Sequence, residues 1–329
     1  MFTSLAGQSI LRPGGVRKRS DEVLMKKPPS RFARLFAVLL VLALAVVGVA
    51  ACGSDDDDDG SAATTAADTS AAAPASGIAV PEEIRSKGTL VVATDPTYAP
   101  NEFVERGGTN VVGMDIDLAE AIGETLGLDV EIERSTFDAI IPGLAARRYD
   151  LGMSSFTDTR ERERTVDFVT YFRAGTSFYK RRGAEDVGTI EDLCGRSVAV
   201  ERGTTQATDV QAQSRRCEAD GRDRINLQVY TDQNGANLAI QSGRAEIGMA
   251  DSPVADYIVL QSNGMFEPTG EPYGVAPYGI AIPKDSGLQE PILEAVRALI
   301  ADGTYDAILR EWGVEHGAID DPRINGAIN

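Results

Sequence analysis

Beyond residue 80 the apolar positions follow two alternating rhythms, and these predict the elements before any chemistry is considered. Residues 89–94 are a short apolar run of strand character. Leu118, Ala121, Ile122 and Leu126 then share one face at helical spacing, which predicts a helix over about 115–126 closed by Gly127 as a left-handed cap. A strand at 130–133, a short helix carrying Ile140, Ile141 and Leu144, and a strand at 151–153 come next. After Lys180 the rhythm restarts: strand 197–200, helix 205–216, strand 226–230, helix 236–241 and strand 247–249. Residues 288–311 read as helices broken at Asp302-Gly303. Strands alternating with helices predict an α/β fold with mostly parallel sheets covered on both faces, and the restart predicts a second lobe.

The N-terminal part has a different pattern. Residues 12–34 are basic, 35–51 are almost wholly apolar, and Val49-Ala50-Ala51-Cys52 places small residues before a cysteine. This reads as a bacterial lipoprotein signal over residues 1–51, with Cys52 the lipidated N-terminus of the mature chain. The apolar run is about 17 residues, near the lower limit for a permanent span, which is the alternative. The basic segment is long, and Met25-Lys-Lys makes a more ordinary start than Met1. Residues 52–80 read as a disordered tether, because the Ala, Thr, Ser and Pro that dominate them bury too little apolar surface to offset ordering. Asp55 to Asp59 followed by Gly60 superficially suggests a calcium loop, but Ala66 stands where the bidentate glutamate belongs, so a solvated spacer is the better reading.

Composition narrows the functions. The full chain has a net charge of −18, and removing residues 1–51, which hold eight Lys/Arg and two Asp/Glu, takes it to −24. Nucleic acid is therefore excluded as an expected partner. The only histidine is His316, so neither a metal site nor a cofactor is expected. Cys194 and Cys217 are the remaining cysteines, and export makes a disulfide between them the leading reading, with two buried thiols as the alternative.

The densest chemistry lies between Asp150 and Phe168. A strand end passes into Ser155 and Thr157, whose hydroxyls lie beside free backbone N–H groups, and then into arginines; Arg162 can offer a planar fork to the two oxygens of a carboxylate. A solvated charged turn is the plainer alternative.

Several stretches occur in an order and spacing that carry a resemblance over about residues 81–319. They are Gly88-Thr-Leu-Val-Val-Ala-Thr-Asp-Pro-Thr-Tyr-Ala-Pro100, Val112-Gly-Met-Asp-Ile-Asp-Leu118, Phe137-Asp-Ala-Ile-Ile-Pro-Gly-Leu144, and Thr159-Arg-Glu-Arg162 before Val166-Asp-Phe168. Gly203-Thr-Thr-Gln206, Ala250-Asp-Ser-Pro253, Tyr278-Gly-Ile-Ala-Ile-Pro283 and Asp302-Gly-Thr-Tyr305 complete the set. In these the chain resembles the family 3 solute-binding proteins of ABC importers, the polar amino-acid receptors. The resemblance implies a two-lobed α/β fold of the type II periplasmic-binding-protein kind, with two mixed sheets flanked by helices and joined by two crossover segments near 173–177 and 273–278. Residues 81–173 with 279–319 would form lobe 1, residues 178–274 lobe 2, and 320–329 a tail. It also implies an amino-acid ligand, ABC permease subunits as partners, and a monomer held at the extracytoplasmic face of the cell membrane by its lipid.

A free amino acid is a zwitterion, so its receptor needs an anion clamp, a buried carboxylate for the ammonium, and walls for the side chain. The family's spacing before Asp167-Phe168 selects Arg162 over Arg160 and Arg164 as clamp. Ser155 and Thr157 would assist it, and Thr204 or Thr205 would close from the other lobe at a helix start, where N–H groups favour an anion. Asp251 matches the acceptor for the ammonium; by itself the Asp251-Ser-Pro sequence reads equally well as a helix N-cap. Tyr98 and Phe137 would sandwich the side chain, with core packing the alternative. Asp95 falls where a group reaches the distal end of the ligand, although an Asx-turn before Pro96 is a competing use. Glu201 departs from the glutamine-type members, which have lysine there. With Asp95 and Asp251 it predicts an acidic cleft that favours a cationic or amide side chain over glutamate. Asn101 and Met114 stand where aromatics are usual. No catalytic residue is expected. The competing functions are a dehydratase on the same fold, using Glu201 or Asp251 as acid or base, and a sensory ligand-binding domain.

Overall fold

The computed structural model describes residues 77–328; the signal, the lipidation site Cys52, the aspartate run and most of the tether lie outside the described residues. The chain enters through a short helix, α1 (Glu82–Lys87), into strand β1 (Thr89–Thr94). Alternation along β1 divides its side chains between two cores. Leu90 and Val92 point into a core shared with Leu118 and Ile122, while Ala93 faces the opposite side against Ile140 and Phe168. A three-stranded sheet of β2 (Thr97–Tyr98), β3 (Glu102–Val104) and β4 (Val111–Val112) precedes α2 (Met114–Leu126). Gly127 ends α2 with φ 70, the left-handed cap expected there.

β5 (Asp129–Arg134) pairs parallel with β1 on one side, and β6 (Leu151–Gly152) does so on the other, with α3 (Phe137–Ala145) between them in sequence. The second α/β rhythm yields β8 (Ser197–Glu201), α4 (Thr205–Ala219), β9 (Asn226–Tyr230), α5 (Gln233–Ser242) and β10 (Ile247–Asp251), with β8 parallel to both β9 and β10. β8 alternates like β1: Val198 and Val200 pack against α4, and Ala199 against α5.

Two long strands join these halves, and the apolar pattern did not announce them. β7 (Val166–Arg181) and β11 (Phe266–Pro283) run antiparallel through both halves, giving one hydrogen-bonded order β5-β1-β6-β11-β7-β10-β8-β9. The two expected sheets are thus halves of a continuous one. The crossover segments lie where register shifts interrupt the β7–β11 ladder, between Thr269 and Tyr273 and between Tyr273 and Ala276. Such bulges bend the strands. α6 (Ser252–Gln261) follows β10 directly, and α7 (Gln289–Asp302) and α8 (Thr304–Trp312) return to the first core, where Leu293, Leu299 and Leu309 pack with α2 and β1.

Cys194 and Cys217 are bridged at a sequence separation of 23, between the segment before β8 and the end of α4. A double Cys194→Ser/Cys217→Ser variant is expected to lose roughly 3 kcal/mol of stability, the loop-closure entropy of a linkage of that length. Denaturant titration of oxidised parent and variant checks this; coincident midpoints would argue against the bridge contributing. Among the described residues no helix is long and apolar enough to cross a membrane, and no cluster of His, Cys, Asp and Glu is arranged to hold a metal.

Candidate functional site

Two pairs of parallel strands, running toward each other, end at one place. β1 delivers Asp95, the segment after β6 delivers Ser154, Ser155 and Thr157, β8 ends at Glu201 and β10 at Asp251. Ligands in open α/β sheets bind beyond such carboxyl ends. Here the ends from both lobes face each other around one cavity. All ten residues expected in the site line it: Asp95, Tyr98, Phe137, Ser155, Thr157, Arg162, Glu201, Thr204, Thr205 and Asp251. Glu102, Ser154 and Gln206 line it too and were not anticipated.

The arginine sits where the lobes touch. Arg162 Nη1 donates to the Thr157 carbonyl (2.8 Å) and Nη2 to the Gly203 carbonyl across the cleft (3.0 Å). Its guanidinium lies 5.3 Å from the Phe137 ring centre and 5.4 Å from that of Phe156, and these two rings stack with centres 4.5 Å apart. Burial lowers the Arg162 pKa to about 10, with Asp251 the first of the charges opposing it. Arg160 and Arg164 are exposed. Two more contacts span the cleft: the Asp251 N–H donates to the Tyr98 hydroxyl (2.9 Å), and the Gln233 N–H to the Thr97 hydroxyl (3.3 Å).

Asp251 separates its two sequence readings. It stands at the N-cap position of α6, yet its side chain caps nothing. Instead Oδ2 accepts from the Tyr278 hydroxyl and Oδ1 from Gln206 Nε2, both at 2.6 Å. Burial raises its pKa, and these two hydrogen bonds oppose the rise. Thr204, by contrast, is a true cap. Its hydroxyl accepts from the Ala207 N–H (3.2 Å) and donates to the Glu201 carbonyl (2.8 Å), so it is spent within the protein. Thr205 beside it is half-buried.

Ser155 is also committed to the protein. Its hydroxyl bonds Glu102 Oε2 (3.2 Å) and accepts from Asn101 Nδ2 (2.8 Å), while its N–H donates to Asp115 Oδ2 (2.7 Å). Asn101 thus supports the loop where an aromatic was usual, and Met114 is buried in the first core. Glu102 and Asp115 form a buried acid pair. Burial and the Asp115 charge hold Glu102 well above the usual carboxylate range, and burial lifts Asp115 to about 6.

The far end of the cavity is acidic. Asp95 Oδ1 accepts from the Thr97 hydroxyl (2.8 Å) and Oδ2 from the Phe137 N–H (3.0 Å), whereas the Thr97 N–H donates to the Asp95 main-chain carbonyl (2.8 Å), so the Asx-turn suggested by the sequence is not formed. Asp95 and Glu201 are 4% and 3% exposed and line the same cavity from opposite lobes. Glu201 Oε1 has no donor among the described residues. Burial first, then the charges of Asp95 and Asp232, hold the Glu201 carboxyl well above its usual range. Burial raises Asp95 as well, against the hydrogen bonds from Thr97 and Phe137.

Comparison with known proteins agrees with this frame. The profile of bacterial extracellular solute-binding proteins, family 3, matches residues 90–315. The arginine-binding protein ArgT of Corynebacterium glutamicum is 35% identical over 247 residues, covering 75% of this chain and 81% of its own length. Among solved structures, an ancestral arginine-binding protein bound to glutamine superposes with a TM-score of 0.64 at 36% identity, over 69% of this chain and 99% of that one. An ancestral amino acid-binding protein, a precursor of cyclohexadienyl dehydratase, superposes with a TM-score of 0.61 at 33% identity, over 70% of this chain and 97% of that one. With its two lobes meeting at one lined cavity and a match running from β1 to the segment after α8, this chain belongs to the bacterial extracellular solute-binding proteins of family 3.

Proposed function

We propose that the protein is a lipid-anchored, extracytoplasmic receptor that closes residues 81–173 with 279–319 against residues 178–274 around a cationic amino acid, arginine foremost, and hands it to an ABC importer permease. The composition of the cavity supports this above all: one guanidinium and the N–H groups of a helix start at one end, a buried carboxylate beside them, and a carboxyl pair at the other end. In this reading Arg162 and the start of α4 hold the ligand carboxylate, Asp251 takes the α-ammonium, Tyr98 and Phe137 flank the aliphatic stem, and Asp95 with Glu201 receive the distal cation. Anchoring rests on Cys52, and a monomer suffices because each chain carries both lobes. The arginine-binding relative adds weight to the ligand class.

A second reading keeps one observation in its favour, the likeness to a precursor of cyclohexadienyl dehydratase. A carboxyl whose pKa burial raises, as it does that of Glu201, has the character of a general acid. Recovery of added amino acids unchanged after prolonged incubation favours the receptor; a new product would favour the enzyme.

A thermal-shift series tests the ligand class, since a native-state binder raises stability by about 2.7 kcal/mol at a hundredfold excess over Kd. Arginine, lysine and ornithine are expected to raise the midpoint most and glutamine less. Glutamate and aspartate should leave it unmoved, and a larger shift with glutamate would defeat the assignment. Arg162→Lys keeps the charge but loses the fork, so calorimetry should show affinity down about tenfold, near 1.4 kcal/mol, with Arg160→Ala unchanged.

A further inference from the structure

Residues 320–328 do not trail away from the fold. In the first lobe one edge of β7 lacks a strand neighbour, because β10 pairs only with Thr176 to Lys180. The C-terminal segment covers that edge. The Thr170 N–H donates to the Arg323 carbonyl (2.9 Å) and the Arg323 N–H to the Thr170 hydroxyl (2.8 Å), while Val169 and Ile324 form an antiparallel bridge. Asn325 grips Phe168 from both sides, its N–H donating to the Phe168 carbonyl and its Oδ1 accepting from the Phe168 N–H, each at 2.9 Å.

The next two residues leave β7 and reach the loop that carries Arg162. The Gly326 N–H donates to Asp158 Oδ2 (2.7 Å) and the Ala327 N–H to Glu163 Oε1 (3.2 Å), so the strap holds carboxylates on both sides of Arg162 in sequence. Asp158 is itself buried, and its N–H donates to the Pro277 carbonyl on β11. The approach is close at Gly326, where an added Cβ would lie 2.8 Å from Thr170 Cγ2. Inside the loop the Arg162 N–H reaches only the Thr159 hydroxyl, at 3.3 Å, and the Glu163 N–H the Thr159 carbonyl, at 2.9 Å. With the Arg164 N–H on the Glu161 carbonyl (3.3 Å) and the Thr165 N–H on the Arg162 carbonyl (2.9 Å), these bonds close the turn on itself, and what the strap adds is a tie between this turn and β7.

We infer that the C-terminal strap is a positioning element for the Arg162 clamp: residues 323–325 cover the β7 edge, and Gly326 and Ala327 pin the clamp loop through Asp158 and Glu163. The inference rests on the reading of Arg162 as the carboxylate clamp. Truncation separates the two roles, since ending the chain at Asn325 keeps the edge cover and removes only the pins. In the ligand-free protein, amide hydrogen exchange across residues 159–165 should then rise at least tenfold while the β1 amides keep their protection. Unchanged exchange in that loop would overturn the inference. With L-arginine as probe, calorimetry should show about fivefold weaker binding by the truncated protein, but less than twofold when the truncation is made in the Arg162→Lys background. Groups acting through one another are non-additive in this way. Equal losses in both backgrounds would mean that the strap acts on stability at large, and would also overturn it. Absence of L-arginine binding by the intact protein would sink the ligand assignment instead, leaving the exchange measurement to decide the strap.

Discussion

Asp251→Asn is expected to weaken binding of the cognate amino acid by about a hundredfold, roughly 3 kcal/mol, while barely changing the unliganded protein. Truncating or neutralising one partner of a buried, hydrogen-bonded charge pair typically costs 2 to 5 kcal/mol, because the remaining charge stays buried without its counterion. The ligand ammonium would be in that position. The asparagine keeps the shape of the site and an oxygen that can still accept from Tyr278, and Gln206 can turn its amide to suit. Removing a buried negative charge whose pKa burial already raises costs the empty cleft little. Calorimetry with arginine together with a melting curve decides it. If affinity survives and stability falls, Asp251 serves the start of α6 rather than the ligand.

Binding and stability should respond to pH in opposite directions. Glu201, Glu102 and Asp115 all have folded-state pKa values raised above their unfolded ones, chiefly by burial. Groups shifted this way contribute stability that is fully present below the unfolded carboxyl pKa, near 4, and that is lost as pH rises through the folded values. The ligand-free protein should therefore melt higher at pH 5 than at pH 8. In the proposed complex a cationic side chain meeting Asp95 and Glu201 favours the carboxylate, so binding should be opposed by the raised pKa of Glu201 at low pH. Arginine affinity should then climb by up to about tenfold per pH unit until the folded pKa of Glu201 is passed. Glu201→Gln removes the titrating group. It should flatten the pH profile of arginine affinity and weaken arginine most at high pH, with glutamine affected less. Around the pair the facing charges are Asp232, Asp251 and Asp95 itself, all acidic, so none of them reverses the sign. A wild-type profile that is flat from pH 5 to 8, measured by calorimetry in buffers of different ionisation heat, would show that Glu201 keeps its proton in the complex.

How much of the fold and site was legible beforehand varies residue by residue. β1, α2, β8 and β9 follow from periods of 2 and 3.6 and from Gly127, all local signals. β7 and β11 do not. β7 is buried on both faces along nearly its whole length, so it has no alternation to read. β11 carries Pro268, Pro272, Pro277 and Pro283 within eighteen residues, a composition that suggests loop, and Pro272 falls where a register shift interrupts the ladder. Residues 320–328 show no periodicity because their partners are backbone groups and single side chains of β7 and the clamp loop.

The site divides the same way. Asp95, Glu201 and Asp251 stand at strand ends that the pattern could locate, and Arg162 follows from spacing, so the residue types and their order were written in the chain. Gln206 was within a recognisable motif, but its bond to Asp251 spans 45 positions; Tyr278 reaches Asp251 over 27, and Glu102 reaches Ser155 over 53. The sequence by itself determined the order of elements and the chemical identity of the groups at strand ends, because helix and strand periods, caps and turns are set by neighbours within a few residues. The tertiary structure alone decided that thirteen residues from two lobes line one cavity, that Ser155 and Thr204 spend their hydroxyls on the protein, and that Glu201 is buried among other carboxyl groups, which raises its pKa. Each of these depends on which distant groups exclude water from which others, and desolvation has no signature in the local order of residues.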